Sequence, residues 1–130
     1  MSTRKSINES ERVETLKSLL GQRILVLDGA VGTSIQALEL GPEDFGGAEY
    51  EGCNENLVLT KPDAIAGIHQ GFLDAGCDIL ETNTFGATPM VLSEYGLAHE
   101  ARRINREAAA LARRLADAVA TPEKPRFVAG

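Results

Sequence analysis

Tryptophan is absent from this sequence and aromatic residues make up only 5% of it. So few rings argue against a surface on which nucleic-acid bases stack. Positive charge is short as well: 13 Lys and Arg stand against 19 Asp and Glu, a net charge of -6. That balance does not suit a phosphate-backbone binder, and basic residues cluster only along one helix face. With two cysteines there is no disulfide framework, and Cys53 and Cys77 are expected to be free thiols. No apolar run approaches the roughly 20 residues that a bilayer span needs. Residues 1–9 are polar and mixed in charge, without the apolar centre of a secretory signal. The expectation is a cytoplasmic protein with neither a nucleic-acid nor a membrane partner. Internal repeats and low-complexity segments are missing too.

What is present is an alternation of helical and strand patterns. Asn8 followed by Glu11 has the form of a capping box. Val13, Leu16, Leu19 and Leu20 then recur at helical spacing, with Gly21 as the expected left-handed stop. Ile24-Leu25-Val26-Leu27 is a continuous apolar run ending in Asp28-Gly29, the pattern of a strand buried on both faces of a parallel sheet. Residues 33–40 have room for a helical turn or two. Residues 41–56 form a long aperiodic stretch rich in Gly and acid, a length that in a compact domain is usually functional or disordered. Thr60-Lys61-Pro62-Asp63 opens a helix, with Thr60 as the expected cap and Ile65, Ile68 and Phe72 as its stripe; Gly76 closes it. Asp78-Ile79-Leu80-Glu81-Thr82-Asn83-Thr84 reads as a second strand. In the last helix Ile104, Ala108, Leu111, Leu115 and Ala118 share a face. Arg102, Arg103, Arg106, Arg113 and Arg114 lie mostly off it, with Glu107 expected to pair with Arg103. This basic face reads as a solvated outer surface, with a partner surface as the lesser alternative. Pro122 and Pro125 end the helix, and Arg126-Phe127-Val128-Ala129-Gly130 begins a third strand. Helices between strands in this order make parallel βαβ units, an α/β fold.

In such folds ligands bind beyond the carboxyl ends of the strands. Asp28-Gly29-Ala30-Val31-Gly32-Thr33 and Glu81-Thr82-Asn83-Thr84 are placed there. A carboxylate fixed at a strand end can hold an ammonium group, and small residues after it expose backbone N–H groups to a carboxylate. One end of an amino acid needs each kind of partner. The other reading has Asp28 capping the following turn while the glycines merely permit it. The residues alone leave both open. A P-loop needs Lys after its second Gly, and Thr33 stands after Gly32. A dinucleotide fingerprint needs Gly-x-Gly-x-x-Gly, which is missing. The start of a haloacid-dehalogenase nucleophile loop would need a second Asp at position 30, which is Ala. For zinc, Cys53 and Cys77 show no paired spacing. Cys77 reads as a buried structural thiol, His69 as a packing or capping histidine and His99 as solvent-facing. No complete metal site is read in the chain.

Three motifs in order carry a family resemblance. Val26-Leu27-Asp28-Gly29-Ala30-Val31-Gly32-Thr33, then Gly52-Cys53-Asn54-Glu55-Asn56-Leu57, then Leu80-Glu81-Thr82-Asn83-Thr84-Phe85 resemble the homocysteine-binding domain of cobalamin-dependent methionine synthase, over nearly the whole chain from about Leu16. The resemblance implies the amino-terminal part of a (β/α)₈ barrel, roughly its first three strands. Residues 1–22 would be a helical extension and residues 23–130 a partial barrel domain. It implies homocysteine as substrate, held as a thiolate on a cysteine-bound zinc and methylated from methylcobalamin, which methyltetrahydrofolate recharges on other domains. Asp28 would hold the substrate ammonium and the Gly29 and Ala30 backbone its carboxylate; Glu81, Asn83 and Thr84 would line the pocket. The zinc cysteines of the family belong to later strands, and Cys53 matches a loop cysteine that is not a ligand. The chain would therefore hold no catalytic or metal residue of its own and be inactive alone, with the rest of the barrel and the folate and cobalamin domains as its partners. Betaine-dependent relatives carry Tyr where Gly86 stands, which favours the cobalamin branch. The alternatives are a cobalamin-independent homocysteine S-methyltransferase and a non-catalytic barrel fragment that folds only with a partner.

Overall fold

A computed structural model describes residues 8–130. The polar opening read as lacking a secretory signal lies, up to residue 7, outside the described residues.

The capping box forms. The Asn8 side chain accepts the Glu11 N–H at 2.9 Å, and the Glu11 carboxylate accepts the Asn8 N–H at 3.2 Å. It starts α1, Glu9–Leu20, which ends at Gly21 in a right-handed turn (φ -79°) and not in the expected left-handed stop. No residue of α1 is buried, so its apolar spacing does not mark a core face. Arg12 ties it to Asp117 at 3.3 Å. Helix α2, Val31–Gln36, follows the first expected strand. The aperiodic stretch is ordered: it winds through 3₁₀ turns at Pro42–Phe45, Ala48–Tyr50 and Asn54–Asn56. Gly46, Gly47 and Gly52 supply its positive φ angles, and Phe45, Cys53 and Asn56 are buried along it.

Helix α3, Leu57–Thr60, runs almost directly into α4, Pro62–Ala75. Because α3 occupies the position where a cap was expected, the Thr60 hydroxyl turns back and donates to the Asn56 carbonyl. No side chain caps α4. It buries Ile65, His69 and Leu73, one step round from the expected stripe, and ends at Gly76 with φ +101°. Strand β1, Ile79–Glu81, comes next, then α5, Pro89–Leu92, and the long α6, Ala101–Val119. Strand β2, Phe127–Ala129, closes the order.

β1 and β2 pair in parallel, Ile79 opposite Phe127 and Glu81 opposite Ala129. The first expected strand contributes a single parallel bridge, Leu27 to Ile79. It is held by the Asp28 N–H on the Ile79 carbonyl at 3.0 Å and the Asp78 N–H on the Val26 carbonyl at 2.8 Å. β1 is thus central, and its Leu80 is fully buried. The apolar run before the bridge is not covered: Ile24 is 87% exposed. The expected reading of that run as a strand buried on both faces is therefore corrected among the described residues.

Helices α4 and α6 pack on one another and against the sheet. α6 presents Ala101, Ile104, Ala108 and Leu111 to a larger core, and Ala112 and Ala116 to a smaller one around Leu73, Cys77 and Leu80. Each large side chain removed from water in this way contributes about 1.5–3 kcal/mol. The buried face is rotated from the expected one, since Ala118 is exposed. Arg103 pairs with Glu100 at 3.5 Å and Arg106 with Glu107 at 3.0 Å, not Arg103 with Glu107. At the amino ends of the strands the Arg23 guanidinium grips the buried Asp78 carboxylate through two bonds, 2.8 and 3.1 Å.

Candidate functional site

At the other end of the strands, a cavity of about 640 Å³ opens among Gly29, Ala30, Val31 and Gly32, the residues 81–85, Asn54 and Glu55, and Ala129 and Gly130. All three chain segments that meet in the sheet reach it by their carboxyl ends, where open α/β architectures place their ligands. Its volume suits a small molecule. Of the residues singled out from the sequence, Gly29, Ala30, Glu81, Asn83 and Thr84 share this cavity.

Asp28 stands one residue behind the wall. Its Oδ1 accepts the Glu81 N–H at 3.0 Å, which spans from the first bridge to the end of β1. Its Oδ2 is enclosed and accepts no hydrogen bond from the described residues. Burial pushes the carboxyl above its ordinary range, and the Glu81 N–H opposes that shift. Asp28 does not cap the next turn: the N-cap of α2 is Ala30, and no side chain caps that helix.

Nor do the glycines after it serve the turn. Neither Gly29 nor Gly32 has a positive φ. A Cβ on Gly32 would meet nothing within 4 Å, and one on Gly29 would make ordinary contact with the Phe72 ring at 3.5 Å. Neither the backbone conformation nor the packing needs glycine here, which leaves the wall bare toward the cavity.

Asn83, also on the cavity wall, is buried and donates through Nδ2 to the Asn54 carbonyl at 2.8 Å. Thr82 and Thr84 join their hydroxyls at 2.7 Å. Glu55 accepts the Gly86 N–H at 2.9 Å. Asn54, Glu55 and Phe85 were not singled out as lining residues from the sequence. They lie inside the motifs that carry the resemblance, but nothing in their spacing assigned them to the cavity. The cavity wall carries the carboxylates of Glu55 and Glu81, and among the described residues no Lys, Arg or His lines it.

A metal finds no seat among the described residues, where no group of three or more His, Cys, Asp and Glu comes together. Cys53 and Cys77 are free and buried, and burial raises both thiols. His69 is buried, and neither ring nitrogen has a partner among the described residues. The imidazole of His99 is largely exposed. No helix among the described residues is long and apolar enough to cross a membrane.

Comparison with known proteins agrees on one family. Methionine synthase of Mycobacterium tuberculosis is 44% identical over 115 residues, covering 88% of this chain and 10% of that protein. Methionine synthase of Mycobacterium leprae is 42% identical over 123 residues, covering 95% of this chain and 10% of that protein. The chain thus spans about a tenth of the length of these curated relatives. Among solved structures, the oxidized form of the homocysteine methyltransferase MmuM from Escherichia coli superposes with a TM-score of 0.71 at 25% identity, over 88% of this chain and 39% of that one. Its metallated form shares the fold, with a TM-score of 0.69 at 24% identity over 88% and 40% of the two chains. A family model described as Homocysteine S-methyltransferase matches residues 25–130, and the chain belongs to that family.

Proposed function

We propose that this chain forms the amino-acid half of a homocysteine site in a methionine-forming methyltransferase. Its sheet would be the opening portion of a (β/α)₈ barrel, residues 23–130, with α1 standing before it as an extension. The observation that carries the reading is the enclosed, unpartnered Oδ2 of Asp28 behind a bare glycine wall. A buried carboxylate oxygen without a donor is costly, and an ammonium group is the donor it lacks. Glu81 adds negative charge to the same cavity, and no cation among the described residues lines its wall to cancel it. Asp28 would hold the substrate ammonium once the wall over Oδ2 gives way. The backbone at Gly29 and Ala30 would take the substrate carboxylate, while Asn83 and Thr84 would line the pocket.

The sulfur end of homocysteine is a separate matter. Zinc chemistry would supply a thiolate at neutral pH, but the described residues do not fit a zinc ion. We assign this chain the tasks of binding and orienting, in the cytosol, within a protein whose remaining barrel, folate and cobalamin domains carry the transfer. Alone it is expected to form no methionine. A cobalamin-independent homocysteine S-methyltransferase is the second reading.

Calorimetric titration with L-homocysteine, and with the analogue that carries a hydroxyl in place of the ammonium, tests the reading. Homocysteine should bind and the hydroxy analogue should bind far more weakly. Equal affinities would remove the ammonium clamp.

A further inference from the structure

Besides the glycine segment, two loops line the cavity, and two hydrogen bonds join them. Asn83 Nδ2 donates to the Asn54 carbonyl at 2.8 Å, and the Gly86 N–H donates to Glu55 Oε1 at 2.9 Å. Each loop is separately anchored in the core. Glu55 stands between the buried Cys53 and Asn56, and Asn56 Nδ2 is held by the Phe45 carbonyl at 2.9 Å. On the other side Ala87 is buried, and its carbonyl accepts Asn105 Nδ2 from α6 at 2.7 Å. Between these anchors the Asn83 amide and the Glu55 carboxylate are two side-chain tethers, and Glu55 is the one that reaches across from residues 53–56.

The fit at Gly86 is close. A Cβ there would stand 2.8 Å from Glu55 Oε1, 3.2 Å from its Cδ and 3.2 Å from Val91 Cγ1. Real Cβ atoms do not approach an oxygen so closely, so a side chain at position 86 pushes the flexible end of Glu55 and strains the bond it accepts from the Gly86 N–H. Glycine at 86 and the reach of Glu55 are therefore matched: one leaves the space that the other fills.

We propose that Glu55 is a positioning residue, which latches residues 53–56 to residues 82–87 through Gly86 and so fixes the rim against which homocysteine is held. This rests on the homocysteine reading of the cavity. The role depends on a hydrogen-bond acceptor at the end of a side chain of this length, not on its charge.

The test uses the 130-residue chain with two readouts, hydrogen exchange at the Gly86 amide and affinity for L-homocysteine. Glu55→Ala should expose the Gly86 amide to exchange and weaken binding by about tenfold, the equivalent of one ordinary hydrogen bond. Gly86→Ala strains the same bond from its other end and should weaken binding to a similar degree, which covers the case in which Glu55→Ala does not fold. Glu55→Gln keeps the acceptor and should restore both protection and affinity. Glu55→Ala that loses protection but binds as wild type overturns the latch alone. Glu55→Gln that keeps protection but loses affinity also overturns it, because charge and not the tether would then matter. A wild-type chain that does not bind homocysteine overturns this role together with the reading beneath it.

Discussion

Asp28 Oδ1 and the backbone N–H of Glu81 meet at 3.0 Å, across the bridge that joins the first apolar run to β1. The bond leaves the second oxygen of the same carboxylate buried and without a partner among the described residues. One side chain therefore supports the sheet with one atom and holds an unmet demand for a donor with the other.

Asp28→Asn separates these two tasks. The amide keeps an oxygen for the Glu81 N–H but removes the charge. Because burial raises the Asp28 carboxyl above its ordinary value of about 3.9, the proton is bound more tightly in the folded state. The stability this contributes is full below that value and is lost as pH rises through the folded pKa. At neutral pH the ionised carboxylate works against folding. Asp28→Asn should bind homocysteine about 10- to 100-fold more weakly, the loss of one charge-assisted bond, without lowering the melting temperature at pH 7. Calorimetry and a thermal melt check the pair of outcomes.

Gly32→Ala should show the same opposition. Gly32 lies within α2 at a φ that alanine adopts, and its added Cβ meets nothing within 4 Å. The exchange should stabilise the chain by about 0.4–1 kcal/mol through the unfolded state while crowding the cavity wall. A higher urea midpoint with weaker homocysteine binding is the expected result.

His69 is buried on α4, with neither ring nitrogen bonded among the described residues. Burial lowers its pKa, so the unfolded chain takes up the proton first. Stability should fall as pH drops through the ordinary imidazole value of about 6.5. His69→Leu removes the unmet polar atoms and should raise stability by about 1–3 kcal/mol and flatten that acid limb. Urea midpoints between pH 7 and pH 5 report both.

The Arg23–Asp78 pair acts at the opposite end of the strands. The guanidinium holds the Asp78 carboxyl below its ordinary range, so its contribution is present above about pH 3.9 and is lost as pH falls through the depressed value. Asp78 also accepts the Val26 N–H at 2.8 Å, which ties the first segment to β1. Asp78→Asn should cost about 1–3 kcal/mol at pH 7, discounted because Arg23 is partly exposed. It should also lose the steep acid limb below pH 4, read by denaturant melts.

The elements whose signals are local were readable in the sequence. The Asn8–Glu11 box and the Gly76 stop are set by a few neighbouring atoms, and both form. Thr60 had the right residue type for a cap, but α3 ends on it and turns its hydroxyl back. Alanine explains the rotated face of α6, because Ala112 and Ala116 are too small to stand out in an apolar pattern yet are fully buried. The stretch over residues 41–56 lacks any period because single contacts, such as Asn56 on the Phe45 carbonyl, set its turns. Gly29, Ala30, Glu81, Asn83 and Thr84 were placed by the rule that strand ends face ligands, and they share one cavity. Glu55 was read only as part of a motif, because the Gly86 N–H that it accepts lies 31 positions away and no local spacing connects them.

The central claim is that homocysteine is held at the carboxyl ends of these strands. Titration of ¹⁵N-labelled chain with L-homocysteine, followed amide by amide, tests it most directly. Saturable shifts centred on Gly29, Ala30, Glu81, Asn83 and Thr84, with Arg23 and Asp78 at the far end unmoved, are the predicted result. Saturable shifts centred elsewhere, or none at millimolar ligand, would contradict it.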